Sequence, residues 1–255
     1  MPLRYFYCPD KRKINIAECL KHCPCTEGRC LSLPTLLEIS WERPIGDTFS
    51  TTQLLNGTRM EYLKITQNYC INPYERAFAL LGTRHHRQLD KIAKKLNALS
   101  EEKLQGEVSG ILDLLVPDET TEEERYELWD YKTSGSYKVA LALKAEAKDW
   151  VLQLNNYRIM VEECGFPVSR MINQATVRDG GTYIAKQRGL DKNIYLISVR
   201  RLLDDEVRQY FVQKDRLLRN ALENKKLPPL CSKEETWEGR RCKKYCDVRE
   251  LCKKG

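Results

Sequence analysis

Gly110-Ile-Leu-Asp113-Leu-Leu-Val116 is followed by an acidic, proline-containing turn and then by Tyr126-Glu-Leu-Trp-Asp130-Tyr-Lys132-Thr-Ser134. Two apolar runs of strand length flank a loop rich in Asp, Glu and Thr, a pattern that predicts a β-hairpin. One aspartate lies in the first strand, and an Asp-x-Lys lies at the end of the second. Side chains alternate along a strand, so Asp130 and Lys132 share a face. Charged groups inside otherwise apolar strands are costly unless something uses them. Two carboxylates and a lysine converging on one face could bind a divalent cation beside an activated water.

The surrounding chain bounds what such a hairpin can belong to. Its 255 residues suit one sizeable domain with an appendage. No apolar run reaches the length of a membrane span, and the first residues lack the apolar core of a signal peptide, so a cytoplasmic protein is expected. Nine of the eleven cysteines crowd into the two ends: Cys8, Cys19, Cys23, Cys25 and Cys30, then Cys231, Cys242, Cys246 and Cys252. In an intracellular chain this clustering favours metal ligation over disulfides. Cys70 and Cys164 read as small, partly buried residues.

The net charge of +7 is uneven. Residues 1–30 carry six Lys/Arg against three Asp/Glu, and residues 225–255 carry ten against five, so the ends hold +8 and the middle is near −1. Basic ends suit surfaces that meet a polyanion, and equally suit solvated termini.

Three parts are expected: a cysteine module over 1–30, a core over 31–224 and a second cysteine module over 225–255. The first is too small to hold a core without a staple. Four of its cysteines could bind a tetrahedral Zn²⁺. Cys8, Cys19, Cys23 and Cys30 are the preferred set, with Cys25 spare and His22 able to substitute. Cys8-x10-Cys19-x3-Cys23 repeats the spacing of Cys231-x10-Cys242-x3-Cys246. Residues 31–43 read as a connecting helix or strand ending at Pro44. Ser50 or Thr51 is a plausible N-cap for a helix running to Lys64, with Gly57 inside it as a kink or close contact. Residues 74–98 form the clearest amphipathic helix, with Tyr74, Phe78, Leu81, His85, Leu89, Ile92 and Leu96 at helical spacing. It carries Gly82-Thr-Arg-His85-His86. A second long helix is expected over 139–163, where Trp150, Gln153 and Tyr157 share one face. Strands over 166–178 and 193–200 and a charged helix over 204–225 complete the core, before Pro228-Pro229 opens the tail.

The order is therefore a helix with Gly82-x-x-x-His86, a strand with Gly110-x-x-Asp113, a strand with Asp130-x-Lys132, a helix with Gln153-x-x-x-Tyr157, and a Pro-Pro followed by cysteines. This resembles the RecB-like branch of the PD-(D/E)XK nucleases, especially the CRISPR-associated and phage-encoded iron–sulfur exonucleases and the nuclease domain of AddB-type enzymes. The resemblance covers residues 50 to 252. It implies an α/β fold of the restriction-endonuclease-like kind, a central mixed sheet flanked by helices, here with cysteine-rich metal modules at both ends.

By motif, the resemblance implies that His86, Asp113, Asp130 and the Tyr131 carbonyl hold Mg²⁺ or Mn²⁺. It makes Asp113, Asp130 and Lys132 the catalytic group, with Gln153 and Tyr157 supporting lysine and DNA. A histidine ligand shifts preference toward Mn²⁺. Cys242, Cys246 and Cys252 resemble the family's triad for a 4Fe–4S cluster, which needs a fourth thiolate. The family takes it from a Cys-Pro-Arg before the histidine helix, where this chain reads Gly57-Thr58-Arg59. Cys231 is the economical replacement. The N-terminal module could instead supply the ligand, and Zn²⁺ also suits four thiolates. The implied activity is exonucleolytic hydrolysis of single-stranded DNA ends in recombination, repair, phage replication or CRISPR adaptation, with proteins of those complexes as partners and oligomers among relatives. The alternative is a catalytically idle DNA-binding scaffold on the same fold.

Overall fold

The structure, a computed structural model, describes residues 3–42, 44, 46–145 and 147–254. Along the chain run β1 (Leu3–Tyr7), β2 (Lys13–Asn15), α1 (Ile16–Lys21), α2 (Leu33–Ser40), α3 (Thr51–Leu55), α4 (Thr58–Thr66), β3 (Tyr69–Ile71), α5 (Pro73–Ala77) and α6 (Ala79–Lys95). Then come β4 (Leu99–Leu104), β5 (Gly110–Pro117), β6 (Tyr126–Ser134), α7 (Ser136–Leu143), α8 (Lys148–Glu163), β7 (Val168–Val177), α9 (Tyr183–Gln187) and β8 (Ile194–Ser198). The long α10 (Asp204–Glu223), a π-helical turn (Arg241–Tyr245) and α11 (Arg249–Lys254) finish the chain. These elements form two compact units. One holds the N-terminal stretch to Phe49, Gln53–Leu81 and the chain from Gln213 onward; the other holds Ser50–Thr52 and Gly82–Val212.

The second unit is built on a five-stranded sheet in the order β4-β5-β6-β7-β8. Its β6–β7 pair is parallel and the other pairs are antiparallel. A parallel pair needs a crossover connection, which α7 and α8 supply. Leu154, Tyr157, Met160 and Val161 of α8 pack with Leu112, Leu115, Leu128 and Met171 of the sheet. Val139, Ala142 and Trp150 close a second cluster against Ala175, Val177 and Ile197. Leu128 and Leu154 are fully buried, and each such side chain contributes roughly 1.5–3 kcal/mol of apolar burial. The result is the expected mixed sheet flanked by helices.

The first unit carries a smaller sheet, β2-β1-β3, with β1 antiparallel to β2 and parallel to β3. Within this unit the C-terminal tail is pinned to α4. The buried Arg59 donates to the carbonyls of Pro228 (3.0 Å) and Cys252 (3.2 Å). Lys64 pairs with Asp247 at 3.0 Å. Lys214 of α10 donates to the Asn56 carbonyl (2.8 Å) and pairs with Glu235, and Arg241 reaches the Asn56 side chain.

Several elements differ from the sequence expectation. The single helix expected over 139–163 is two, because the chain reverses at Ala145, whose φ is +59°. The helix expected from Ser50 to Lys64 also breaks. Gly57, in extended conformation, becomes the N-cap residue of α4. The 74–98 helix breaks before Ala79, and its apolar stripe is not a core face. Tyr74, Phe78, Leu81, Ile92 and Leu96 are exposed; periodicity identified the helices but not their burial. The element expected over 31–43 is α2, and Arg43 lies outside the described residues.

Asn155 shows how α8 is tied to the chain after β8. Fully buried, it donates to the carbonyls of Val151 (2.9 Å) and Arg200 (3.0 Å) and accepts from the Leu202 N–H (2.9 Å). Asn155→Ala leaves the Arg200 carbonyl and the Leu202 N–H without their side-chain partner, and should destabilise the protein by about 1–3 kcal/mol in chemical denaturation.

Candidate active site

The hairpin opens where its charged residues lie. β5 and β6 pair from Pro117/Tyr126 to Leu114/Trp129. Past that point β6 continues alongside β7, with Asp130 opposite Asn173 and Lys132 opposite Ala175. The Tyr131 N–H is instead taken by the Asp113 side chain, whose Oδ2 accepts it at 2.6 Å. A carboxylate thus replaces a ladder carbonyl, which satisfies a strand donor and holds Asp113 beside Asp130.

His86 of α6 meets this carboxylate, with Nδ1 3.2 Å from Asp113 Oδ1 and 3.5 Å from Glu101 Oε1. Ligand atoms of His86, Glu101 and Asp113 all lie within 4.8 Å of one another. Asp90 secures the approach of α6 to β4 by accepting from Ser100 Oγ (2.6 Å) and Lys94 Nζ (2.9 Å). The neighbouring His85 packs edge-on to the Tyr131 ring, at 5.9 Å between centroids, and its buried Nε2 has no hydrogen-bond partner among the described residues.

Lys132 lies on the same face as Asp130, as strand alternation predicts, with Nζ 2.7 Å from Asp130 Oδ2. It donates to Gln153 Oε1 at 2.8 Å, and Trp150 lies 5.9 Å below the ammonium. Gln153 Nε2 faces Asp130 Oδ1 (3.5 Å) and the Tyr157 hydroxyl (3.4 Å). The amide therefore bridges lysine, aspartate and tyrosine. Gly110 explains the first letter of its motif: a β-carbon there would come within 2.5 Å of the Tyr157 ring. Only glycine lets that ring lie against the start of β5.

Burial pushes the Asp130 carboxyl up, the Asp113 carboxylate adds to this, and Lys132 and His86 oppose it. Burial also works against the charge on Lys132, but Asp130 outweighs it and holds the ammonium above its usual range. For His86 burial is again opposed, by hydrogen bonds to Asp113 and Glu101, and the imidazole is pushed up to about 10. The site is an acidic cluster that attracts positive charge to its histidine.

Glu101 was not singled out from sequence. β4 pairs Ser100 with Leu114 and Glu102 with Leu112, which sets Glu101 opposite Asp113. Its φ of +52° is left-handed, a conformation that costs a non-glycine residue of order 1–3 kcal/mol and gathers at functional sites. No local signal marks it; the β4–β5 register had to be known first.

A model of the PD-(D/E)XK nuclease superfamily matches residues 47–253. The chain belongs to that superfamily. Among solved structures, the crystal structure of SSO0001 is similar at 18% sequence identity and a TM-score of 0.49, over 86% of this chain and 92% of that one. No curated protein matches the sequence. Among the described residues no helix is long and apolar enough to cross a membrane.

Members of the superfamily are nucleases that use divalent metals, and the donor set here fits one. Two carboxylates and an imidazole lie at ligand spacing. Asp130 Oδ2 is buried and receives no directed hydrogen bond, although Lys132 lies within ion-pair distance. Oxygen donors with one imidazole suit Mg²⁺ or Mn²⁺. Such an ion would compete with the proton that the carboxylates hold on His86.

The tail also bears on a cofactor. Cys242 and Cys252 lie near enough to Cys231 for their charges to raise its thiol, and Cys242 does the same to Cys246. The Cys231 sulfur fills the place that a β-carbon on Gly57 would take. That is the position where the sequence lacks the resembled family's cysteine.

Glu101→Gln keeps the size of the side chain and removes its charge. Calorimetric titration of DNA-free protein with Mn²⁺ should show affinity falling about tenfold, the size of effect seen when groups around a metal are altered. An unchanged affinity would leave Glu101 a structural neighbour of the site.

Proposed function

We propose that the protein is a Mg²⁺- or Mn²⁺-dependent deoxyribonuclease that shortens DNA from single-stranded ends. The observation that carries this reading is the continuous arrangement from His86 and Asp113 through Asp130 to Lys132, with Gln153 holding the lysine. When bound, the metal would neutralise phosphate charge and lower the pKa of a water. His86, Asp113 and Asp130, with Glu101 at the rim and the Tyr131 carbonyl as a further donor, would hold it. Lys132 is kept charged by Asp130 and aimed by Gln153. Its ammonium would orient the attacking water and stabilise the negative charge that builds on the phosphate. Tyr157, seated on Gly110, keeps the amide of Gln153 in place.

The reading also assigns Cys231, Cys242, Cys246 and Cys252 to a 4Fe–4S cluster that closes the basic tail. Support comes from the proximity of these thiols and from Cys231 filling the space at Gly57. The resemblance to iron–sulfur exonucleases supports a role in recombination, repair, phage replication or CRISPR adaptation.

A time course on end-labelled single-stranded DNA with Mn²⁺ tests the activity. Wild type should shorten the strand progressively, and Lys132→Ala should cleave at least about 100-fold more slowly while still binding DNA. No cleavage by folded, metal-loaded wild type would leave a DNA-binding protein on a nuclease fold.

The cluster is tested by visible absorption of protein purified without oxygen. Cys231→Gly should lose the iron–sulfur band, and Gly57→Cys in the same chain should restore it by returning the thiol to nearly the same space. A band that survives Cys231→Gly would remove Cys231 from the ligand set.

A further inference from the structure

The nuclease reading uses none of the five cysteines in the first thirty residues. The fold brings two of them, Cys8 and Cys25, together. β1 ends at Tyr7, and from Cys8 the chain turns back sharply into β2: the Lys11 N–H donates to the Cys8 carbonyl (2.8 Å), the Cys8 N–H to the Arg12 carbonyl (2.9 Å), and Lys11 has a φ of +65°. Cys25 returns to this turn from the loop after α1, and its sulfur lies 3.9 Å from that of Cys8. The ligand atoms of Cys8, Cys25 and Asp10 are all within 4.8 Å of one another. The Asp10 carboxylate is engaged by Arg12, whose Nε donates to it at 2.6 Å.

Cys19 is buried on α1, and Cys23 and Cys30 are partly exposed. His22 is exposed. Every one of these thiols is free of a disulfide. A disulfide would hold its sulfurs at about 2.0 Å. Four sulfurs around a zinc ion, each about 2.3 Å from the metal, lie about 3.8 Å apart. The Cys8–Cys25 distance matches the second arrangement.

We propose that Cys8 and Cys25 are two of the four ligands of one tetrahedral zinc ion, the others coming from among Cys19, Cys23 and Cys30. The ion staples the β1–β2 turn to the loop that follows α1. Sequence spacing alone leaves Cys25 spare; the fold makes it the partner of Cys8. The inference is independent of the nuclease reading.

Metal analysis of the full chain, purified without oxygen or added metal, tests it. Wild type should carry about one zinc per chain. Cys8→Ser and Cys25→Ser should lose it, Cys246→Ser should keep it whatever becomes of the iron, and Cys164→Ser should keep it. Alkylation of unmutated protein supplies a readout that does not depend on variants folding. The half-exposed Cys25 should be unreactive in zinc-loaded protein and react once a chelator is added. Absence of zinc from wild type, full zinc in folded Cys25→Ser, or free reaction of Cys25 in zinc-loaded wild type would each overturn the assignment.

Discussion

The hydrogen bond from the Tyr131 N–H to the Asp113 carboxylate is what the rest of the active-site unit depends on. An antiparallel hairpin would ordinarily continue its ladder to the end of both strands. Here a side chain takes over from the backbone just where β5 and β6 part. The strands can then separate without leaving a donor unpaired, and β6 is free to continue along β7. The space that opens is lined by the side chains of the parting strands. Asp113 serves both tasks, closing the sheet's hydrogen bonding and placing a negative oxygen toward His86.

Once Asp113 and Asp130 are fixed side by side, the remaining residues answer an electrostatic problem. Two buried carboxylates repel, and each surrounding group relieves that repulsion without removing it. Lys132 neutralises part of the charge and is itself held by Gln153. His86 draws a proton for the same reason. Glu101 adds a further acidic group from β4, in a backbone conformation that a glutamate does not choose locally. The cluster is thus organised for a cation that its own side chains supply only in part.

The features legible in the sequence are those set by local periodicity. Asp130 and Lys132 share a face because strands alternate, and Gln153 and Tyr157 share one because helices repeat. What was missed depends on contacts distant in sequence. Glu101 becomes visible only through its register with Asp113. The break between α7 and α8 falls at Lys144-Ala145, two good helix formers, so propensity gave no warning and the packing of Trp150 and Val139 in one cluster prevailed. The apolar stripe of α5 and α6 is exposed, because amphipathicity reports a helix and not what covers it.

Gly57 and Cys231 carry this reasoning to the tail. Read along the chain, they are a glycine inside a helical pattern and a cysteine after a Pro-Pro. In space they are a single fitted contact, with the sulfur of one lying where the other has no side chain. A cysteine at position 57 would bring a thiol into the same region from α4, so a sulfur can reach this place from either segment but not from both at once. The two positions lie 174 residues apart in sequence. Arg59, two residues on, anchors the tail carbonyls of Pro228 and Cys252 that keep Cys231 and Cys252 on this surface. Packing of the tail on α4, rather than spacing along the chain, is what brings the two positions together.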